Sequence, residues 1–406
     1  MTMIATSHAA RGESAPRPRK PAVTDAVTDA VTGAVTDQGG LIAGRTIRHI
    51  ATGAPPGAWA SAGTAAARRA TRPDTVLPLS QLAAVIATAG RAPSVHNTQP
   101  WKFRIAGGVI DLHSDPGRQL TQLDPAGREL MISCGAALFG LRLGLRQFGC
   151  VPTVYLWPDP AQPRLIARAW PDGLAAVNAV EAELLAAVPH RHTHRGPFTP
   201  GEVSPRLLAA LTVDAAAEGC ELRFVEELGL VRELAALVDL AAAEHDASSD
   251  ISAETRGWLR PAGSKDRDGV PARATADDSE TGPLRFRQRD FGPLPEADTA
   301  PAGGPGECAG ESPSATAVLA TATDTPDDWV RAGQALNRLL LRAATRWVFA
   351  SLQSQPLELP RYRAQVRTVL GLAGQPQMLL QLGRANTALA TPRRQQAEFR
   401  TNENHA

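Results

Sequence analysis

Three short stretches of the chain carry side chains whose types and spacing could do chemistry. The first, RAPSVHNTQPWKFRI (Arg91 to Ile105), sets Ser94, His96, Asn97 and Gln99 just past the end of a predicted helix, where backbone donors and acceptors are also free. Two readings fit it: a well-hydrogen-bonded corner with Trp101 in the core beneath, or a wall built to hold something flat and polar. The second, HRHTHRGPF (His190 to Phe198), alternates in type. On an extended chain His190, His192 and His194 share one face, as metal ligands could. Arg191, Thr193 and Arg195 share the other, where two guanidiniums flanking a hydroxyl suit a phosphate. The metal reading lacks further ligands nearby, since no H-E-x-x-H or H-x-H-x-D-H pattern is present, and an exposed basic turn is the third reading. The last stretch, TPRRQQ (Thr391 to Gln396), holds Arg393 and Arg394. Alone it reads as a solvated basic pair. It gains meaning only if the fold sets it beside Arg191 and Arg195.

Other chemistries are disfavoured. No P-loop occurs, and no G-x-G-x-x-G follows a strand, because the glycines of GAALFGLRLG lie inside a helical pattern. No G-x-S-x-G elbow is found. The net charge of +1 gives no electrostatic reason to expect nucleic acid or a membrane surface as partner. Cys134, Cys150, Cys220 and Cys308 form no C-x-x-C pair and read as free buried thiols in a reducing compartment. The first residues offer no apolar stretch suited to a signal peptide, and nowhere is there an apolar run of about eighteen residues, so a cytoplasmic protein is expected.

The elements that must position these residues are legible from periodicity. Residues 1–75 contain the four-residue repeat AVTDAVTDAVTGAVTD and then Gly-, Ala-, Pro- and Arg-rich sequence, with too little apolar bulk to fold; disorder is expected there. From Pro78 the pattern is a helix with Ser80 as N-cap, a hairpin of WKFRI and VIDLH, a long helix capped by Asp124, and strands VPTVYLWP and RLIARAW. After Val177 come a helix running into the basic turn and SPRLLAALTVDAAAEG, a helix with Pro in its first turn. The strand CELRFV and a further helix follow. Residues from about 260 to 314 turn polar and Gly/Pro-rich, a length of loop that reads as a lid. TAVLATAT (strand), a helix from Thr325, and PQMLLQLGR (strand) complete the pattern. Helix–strand–strand–helix–strand thus recurs. When the two long helices are aligned, Gly135, Ala137, Leu138, Leu141 and Leu143 fall on Gly333, Ala335, Leu336, Leu339 and Leu341, which suggests an internal duplication.

RAPSVHNTQPWKF resembles the APS-x-x-N-x-QPW segment of the nitroreductase family of FMN proteins. RELMISCGAAL, RHT-x-R-x-PF, DWVRAGQAL, QPLE and TPRR occur in the order found in its Acg-like actinobacterial branch, and the resemblance covers roughly residues 79–395. It implies an α+β, nitroreductase-like (FMN-dependent) fold. The two tandem halves, residues 76–176 and 177–400, would mimic the family homodimer as a fused pseudo-dimer that is a monomer or a weak homodimer. It further implies that Arg191 and Thr193, with His192 between them, hold the FMN phosphate together with Arg393 or Arg394. Arg195 would lie near the pyrimidine edge, Pro93, Ser94 and Asn97 would wall the ring from the other half, and backbone from Ser351 to Gln355 would approach the reactive nitrogen. His96 could serve either the wall or the core. Two departures stand out: Trp347-Val348 replaces a Gly-Leu, and the motif's usual Asn is His194. The implied activity is hydride transfer from NAD(P)H through FMN to a small-molecule acceptor, with no compulsory catalytic side chain. Two alternatives compete with it: a flavin-sequestering protein whose insertion, with its DGVP and RDFG segments, covers the cofactor, and a zinc hydrolase on the histidine face.

Overall fold

The structure, a computed structural model, describes residues 46–48, 76–261, 263–272, 286, 287, 289, 291, 314–385 and 391–401. In chain order these form β1 (Thr46–Arg48), α1 (Leu79–Gly90), β2 (Trp101–Ala106), β3 (Val109–Ser114), α2 (Arg128–Gln147), β4 (Cys150–Leu156), β5 (Leu165–Leu174) and α3 (Ala179–Ala187). Next come α4 (Pro205–Ala217), β6 (Glu221–Val225), α5 (Leu228–Ala247), α6 (Ser249–Gly257), β7 (Leu259–Arg260), β8 (Val270–Pro271) and β9 (Ala315–Thr321). The remainder are α7 (Pro326–Ala344), β10 (Val348–Gln353), α8 (Gln355–Glu358), α9 (Pro360–Val369), β11 (Gln375–Arg384), α10 (Gln396–Phe399) and β12 (Arg400–Thr401). No helix among the described residues is long and apolar enough to cross a membrane.

Periodicity placed these elements well and their caps less well. Leu82, Val85, Ile86 and Ala89 give α1 one buried stripe. Its N-cap, however, is Pro78 with no side-chain cap, and Ser80 lies inside the first turn. Helix α2 starts after Gly127, whose φ of 74° suits glycine. Asp124 is therefore not the N-cap residue, yet its Oδ2 accepts from the Leu130 amide at 2.9 Å, so it serves an orphan donor from further upstream. Ser204 caps α4 with Pro205 at the first position, as the sequence indicated. Helix α7 carries a complete capping box between Thr325 and Asp328.

One sheet runs β1-β4-β5-β3-β2-β12 and the other β10-β11-β9-β6. Taken in chain order, β2, β3, β4 and β5 occupy the same relative places in the first as β6, β9, β10 and β11 do in the second, all with antiparallel neighbours. The first sheet buries Trp101, Phe103, Ile110 and Leu112 against α1 and α2. On β2, β3 and β5, Asp111 bridges its register partners Arg104 (2.9 Å) and Arg168 (2.7 Å). The second sheet is covered on both faces: Ala317, Leu319 and Leu380 face α4 and α7, and Val318 and Leu379 face α5 and α9. Two edge strands depart from the sequence reading. The expectation of disorder for residues 1–75 lies outside the described residues except at Thr46–Arg48, which pairs with β4 because that edge offers free backbone groups. Residues 400–401 pair in parallel with β2, so this segment returns to the first sheet and not to the half that precedes it.

Helices α2 and α7 pack backbone to backbone. A Cβ built on Gly135 would lie 2.1 Å from the Val330 carbonyl oxygen, and one on Gly333 would lie 1.9 Å from that of Ile132. The contact is reciprocal: each glycine meets the carbonyl three residues before the other glycine. Asn337 Nδ2 donates across the same interface to the Ala136 oxygen at 2.8 Å. Cys134, Cys150 and Cys220 are buried and free, as expected; Cys308 lies outside the described residues.

Candidate functional site: a basic cleft between two motifs

The segment after α1 is both a corner and a wall. His96, Asn97 and Gln99 have φ of 43°, 55° and 51°, left-handed conformations, on either side of a right-handed Thr98, that non-glycine residues rarely adopt and that neighbouring contacts must hold in place. Those contacts come from far along the chain. Asn97 Nδ2 donates to the carbonyls of Gly269 and Pro392, each at 3.0 Å, and Gln99 Nε2 donates to that of Arg267 at 2.9 Å. Gln99 Oε1 accepts from the Arg394 amide at 2.9 Å. Ser94 Oγ accepts from the Gln99 amide at 2.9 Å, and Trp101 packs in the first core as expected. Asn97, expected to wall a ring, is thus taken up in fixing the insertion and residues 391–394 onto the first half. Pro93, Ser94, Val95 and His96 are the residues that line the adjacent cleft.

The basic motif leaves α3 and touches β10, where Thr193 bridges to Ala350. The predicted alternation holds. His192 and His194 turn into packing: His192 lies 4.1 Å from the Phe349 ring and bonds the His190 carbonyl, while His194 stacks on Phe198 and bonds that of Pro197. Burial lowers the His192 pKa, so it is a neutral ring. Among the described residues no group of three His, Cys, Asp or Glu could hold a metal ion. Thr193 and Arg195 line the cleft. Arg191 is 6 % exposed; its Nη2 reaches the Arg91 carbonyl at 3.2 Å and its Nη1 has no partner.

Arg393 joins this cluster and Arg394 does not. Arg393 Nη1 donates to Asn97 Oδ1 at 2.9 Å and to Thr391 Oγ1 at 2.6 Å, and its Nε is unpaired. Arg394 Nη1 instead bonds the Gln99 carbonyl at 3.0 Å, and its guanidinium lies over Phe399, a structural staple. Burial, then the charges of Arg91 and Arg195, bring Arg191 down to about 10; burial does the same to Arg195. Burial and the charges of Arg191, Arg91 and Arg195 hold Arg393 well below the ordinary arginine value. Among the described residues no carboxylate acts on any of the three. Uncompensated buried cations are costly unless an anion pairs with them, so the cluster has the donor set of an oxyanion site.

The cleft beside it is open to solvent, and the roughly 830 Å³ it spans includes solvent-exposed space. Its floor is the helix pair: Glu129, Ile132, Ser133 and Ala136 from α2 and Leu336 from α7, with Met378 from β11. Leu352, Ser354 and Gln355 close the second side. Ser351, expected near the cofactor, is buried on the other side of β10's alternation and accepts from Gln353 Nε2 at 3.0 Å. Two insertion residues complete the wall. Phe291 meets His96 edge-on at 5.1 Å, and Arg289 Nη2 forks onto both oxygens of Glu358 at 2.6 Å. Trp347 does not reach the cleft; it is 53 % exposed and leans on His190.

Sequence reasoning missed Glu129, Arg91 and the α2–α7 floor. The available signal was Glu129's place on the otherwise apolar stripe with Ile132, Ser133 and Ala136, where a carboxylate has no packing reason to be.

The chain belongs to the nitroreductase family. It is 33 % identical over 319 residues, 77 % of this chain and 88 % of the relative, to Rv3131 of Mycobacterium tuberculosis strain H37Rv, whose name proposes an NAD(P)H nitroreductase. It is also 27 % identical over 328 residues to acg from the same strain, likewise so named, covering 79 % of this chain and 96 % of that one. A crystal structure of a nitroreductase with bound FMN from Bacteroides fragilis covers 51 % of this chain and 91 % of its own at 15 % identity and a TM-score of 0.32, a likeness too slight to carry an argument. No family model matches.

Proposed function

We propose that the cleft binds FMN and that the protein is an NAD(P)H-dependent oxidoreductase acting on a small molecule. The observation that carries the reading is the cluster of Arg191, Arg195 and Arg393: Arg191 is buried with Nη1 unpaired, Arg393 is half-buried with Nε unpaired, Arg195 is half-buried on the cleft wall, and no carboxylate among the described residues opposes them. Arg191 and Arg393 would meet the phosphate, with Thr193 as a neutral donor beside them. Arg195, on the cleft wall, would face the pyrimidine edge, where a cation favours the reduced anion. Pro93 and Ser94 would wall the ring, and Ser354 and Gln355 would approach it from the second side. Bound there, FMN supplies the two-electron chemistry between NAD(P)H and an acceptor. The chain's own contribution is to hold, orient and shield. The reciprocal glycine contact and the equivalent strand orders support reading the chain as two fused halves that build one site, with no partner chain required.

A second reading, flavin storage without turnover, is favoured by one observation: Arg289 and Phe291 bring the insertion onto the cleft wall. Stopped-flow mixing of the purified protein with NADPH separates the two. The oxidoreductase reading expects flavin absorbance in the isolated protein and its bleaching within seconds. Retained absorbance with NADPH and NADH alike would favour storage, and a protein without flavin would sink both. If the Arg289–Glu358 pair holds the insertion down, Arg289→Ala is expected to speed the bleaching.

A further inference from the structure

Glu129 is a carboxyl on the cleft wall that the proposed function does not use. It is 3 % exposed, its Oε1 accepts from Arg128 Nη2 at 3.0 Å, and its other oxygen has no hydrogen-bond partner among the described residues. The same wall carries His96, 7 % exposed, with neither ring nitrogen paired. Two buried polar groups without full partners, on one cleft, are what a site for an oxygen-bearing ligand requires.

The groups around Glu129 set its proton. Arg128 on its own helix favours the carboxylate; Asp124 before α2 and Glu358 from α8 oppose it. Arg289 of the insertion favours the anion from further off, and Arg363 on α9 also lies within its field. Glu358 is held differently. Burial alone would raise it, but the Arg289 guanidinium at 2.6 Å outweighs that and keeps it ionised; His245, 3.5 Å away, is itself pushed down by burial and adds charge only in acid. Two buried carboxyls acting on one another do not both ionise easily, and here the clamp selects Glu358 as the anion. Burial first and Glu358's charge second push Glu129 up to about 8.

We propose that Glu129 is the catalytic acid for the acceptor half of the reaction, protonating the oxygen of a quinone-type acceptor at a subsite it shares with His96. The inference rests on the flavin reading above. The quinone takes a hydride (two electrons with their hydrogen) from reduced flavin, which is itself oxidised; an O–H bond forms on one carbonyl oxygen of the quinone and the other oxygen is left anionic. The Glu129 O–H bond breaks as a new O–H bond forms on the oxygen left anionic. The product is the hydroquinone, and the carboxylate regains its proton from solvent through the open cleft.

The test uses the intact protein with its cofactor. In protein labelled with carbon-13 at the glutamate carboxyl, one carboxyl is expected to titrate near pH 8. That signal should be missing in Glu129→Gln and should move down by about one pH unit or more in Glu358→Gln, which removes the repelling charge. Reoxidation of the reduced protein by benzoquinone is expected to slow about tenfold per pH unit above that titration in wild type. Glu129→Gln should be slower by about 100-fold at neutral pH and flat with pH. A wild-type protein with every glutamate titrating in the ordinary range, a high-pH signal that survives in Glu129→Gln, or an unchanged pH profile would overturn the proposal. Flavin content reports separately. Normal flavin with an unaffected Glu129→Gln overturns the acid alone, whereas a wild-type chain without flavin overturns the reading beneath it.

Discussion

Replacing Arg191 and Arg195 together with alanine is expected to leave the chain folded and without its flavin. Arg191 is buried and Arg195 half-buried, and no carboxylate among the described residues acts on either, so a bound phosphate or pyrimidine oxygen would receive charge-assisted hydrogen bonds worth about 1.5–3 kcal/mol apiece. Losing two of them weakens FMN roughly 100-fold or more. The apo-protein should respond in the opposite direction. Arg191 and Arg195 repel one another and Arg393 in the absence of an anion, so their removal relieves a cost in the cofactor-free state. Calorimetry of apo and loaded protein checks both halves. The apo variant should melt no lower than apo wild type, and added FMN should raise the melting point of wild type alone. Full retention of FMN by the double variant would refute the phosphate assignment.

Gly333→Ala is expected to be severely damaging. Its methyl would sit 1.9 Å from the Ile132 oxygen and 2.8 Å from the Ala136 nitrogen, and both are backbone atoms that no rotamer change can move. The helices must separate, and α2 and α7 supply the floor of the cleft. Ordinary overpacking costs about 1–3 kcal/mol; backbone against backbone should exceed that and leave little folded protein. Gly135→Ala should do the same, because its methyl would meet Val330 at 2.1 Å. Gly257→Ala, with nothing within 4 Å of the added carbon, is the matched control and should be neutral. A normal yield and melting temperature for Gly333→Ala would show that the helix contact is looser than described.

Much of this was visible in the sequence, and what was hidden was hidden for physical reasons. Helices and strands followed from apolar spacing, and the choice between the histidine and arginine faces of residues 190–195 was present in the alternation itself. Arg393 and Arg394 could not be told apart, because adjacent side chains diverge and only the path of the backbone decides which one meets Asn97. The insertion's grip on Gln99 through the Arg267 carbonyl uses backbone atoms, which carry no residue signature. Glu129 could have been suspected from its place on an apolar stripe. Its relation to Glu358, 229 positions away, needed the fold. The pairing of β12 rests on two residues, too few to show any period.

The return of residues 391–401 to the first sheet has a consequence for how the molecule is made. Gln99 binds Arg394 across 295 positions of chain, and Arg393 is one of the three cations of the anion cluster. At translation speeds of roughly 5–20 residues per second, the first motif leaves the ribosome about 15–60 s before the segment that fastens it. Until then the strained residues His96, Asn97 and Gln99 lack their contacts to Pro392 and Arg394, and the outer edge of β2 is bare. The cation cluster is therefore assembled last, and a chain stopped short of Arg393 should fold both helical layers while failing to retain cofactor.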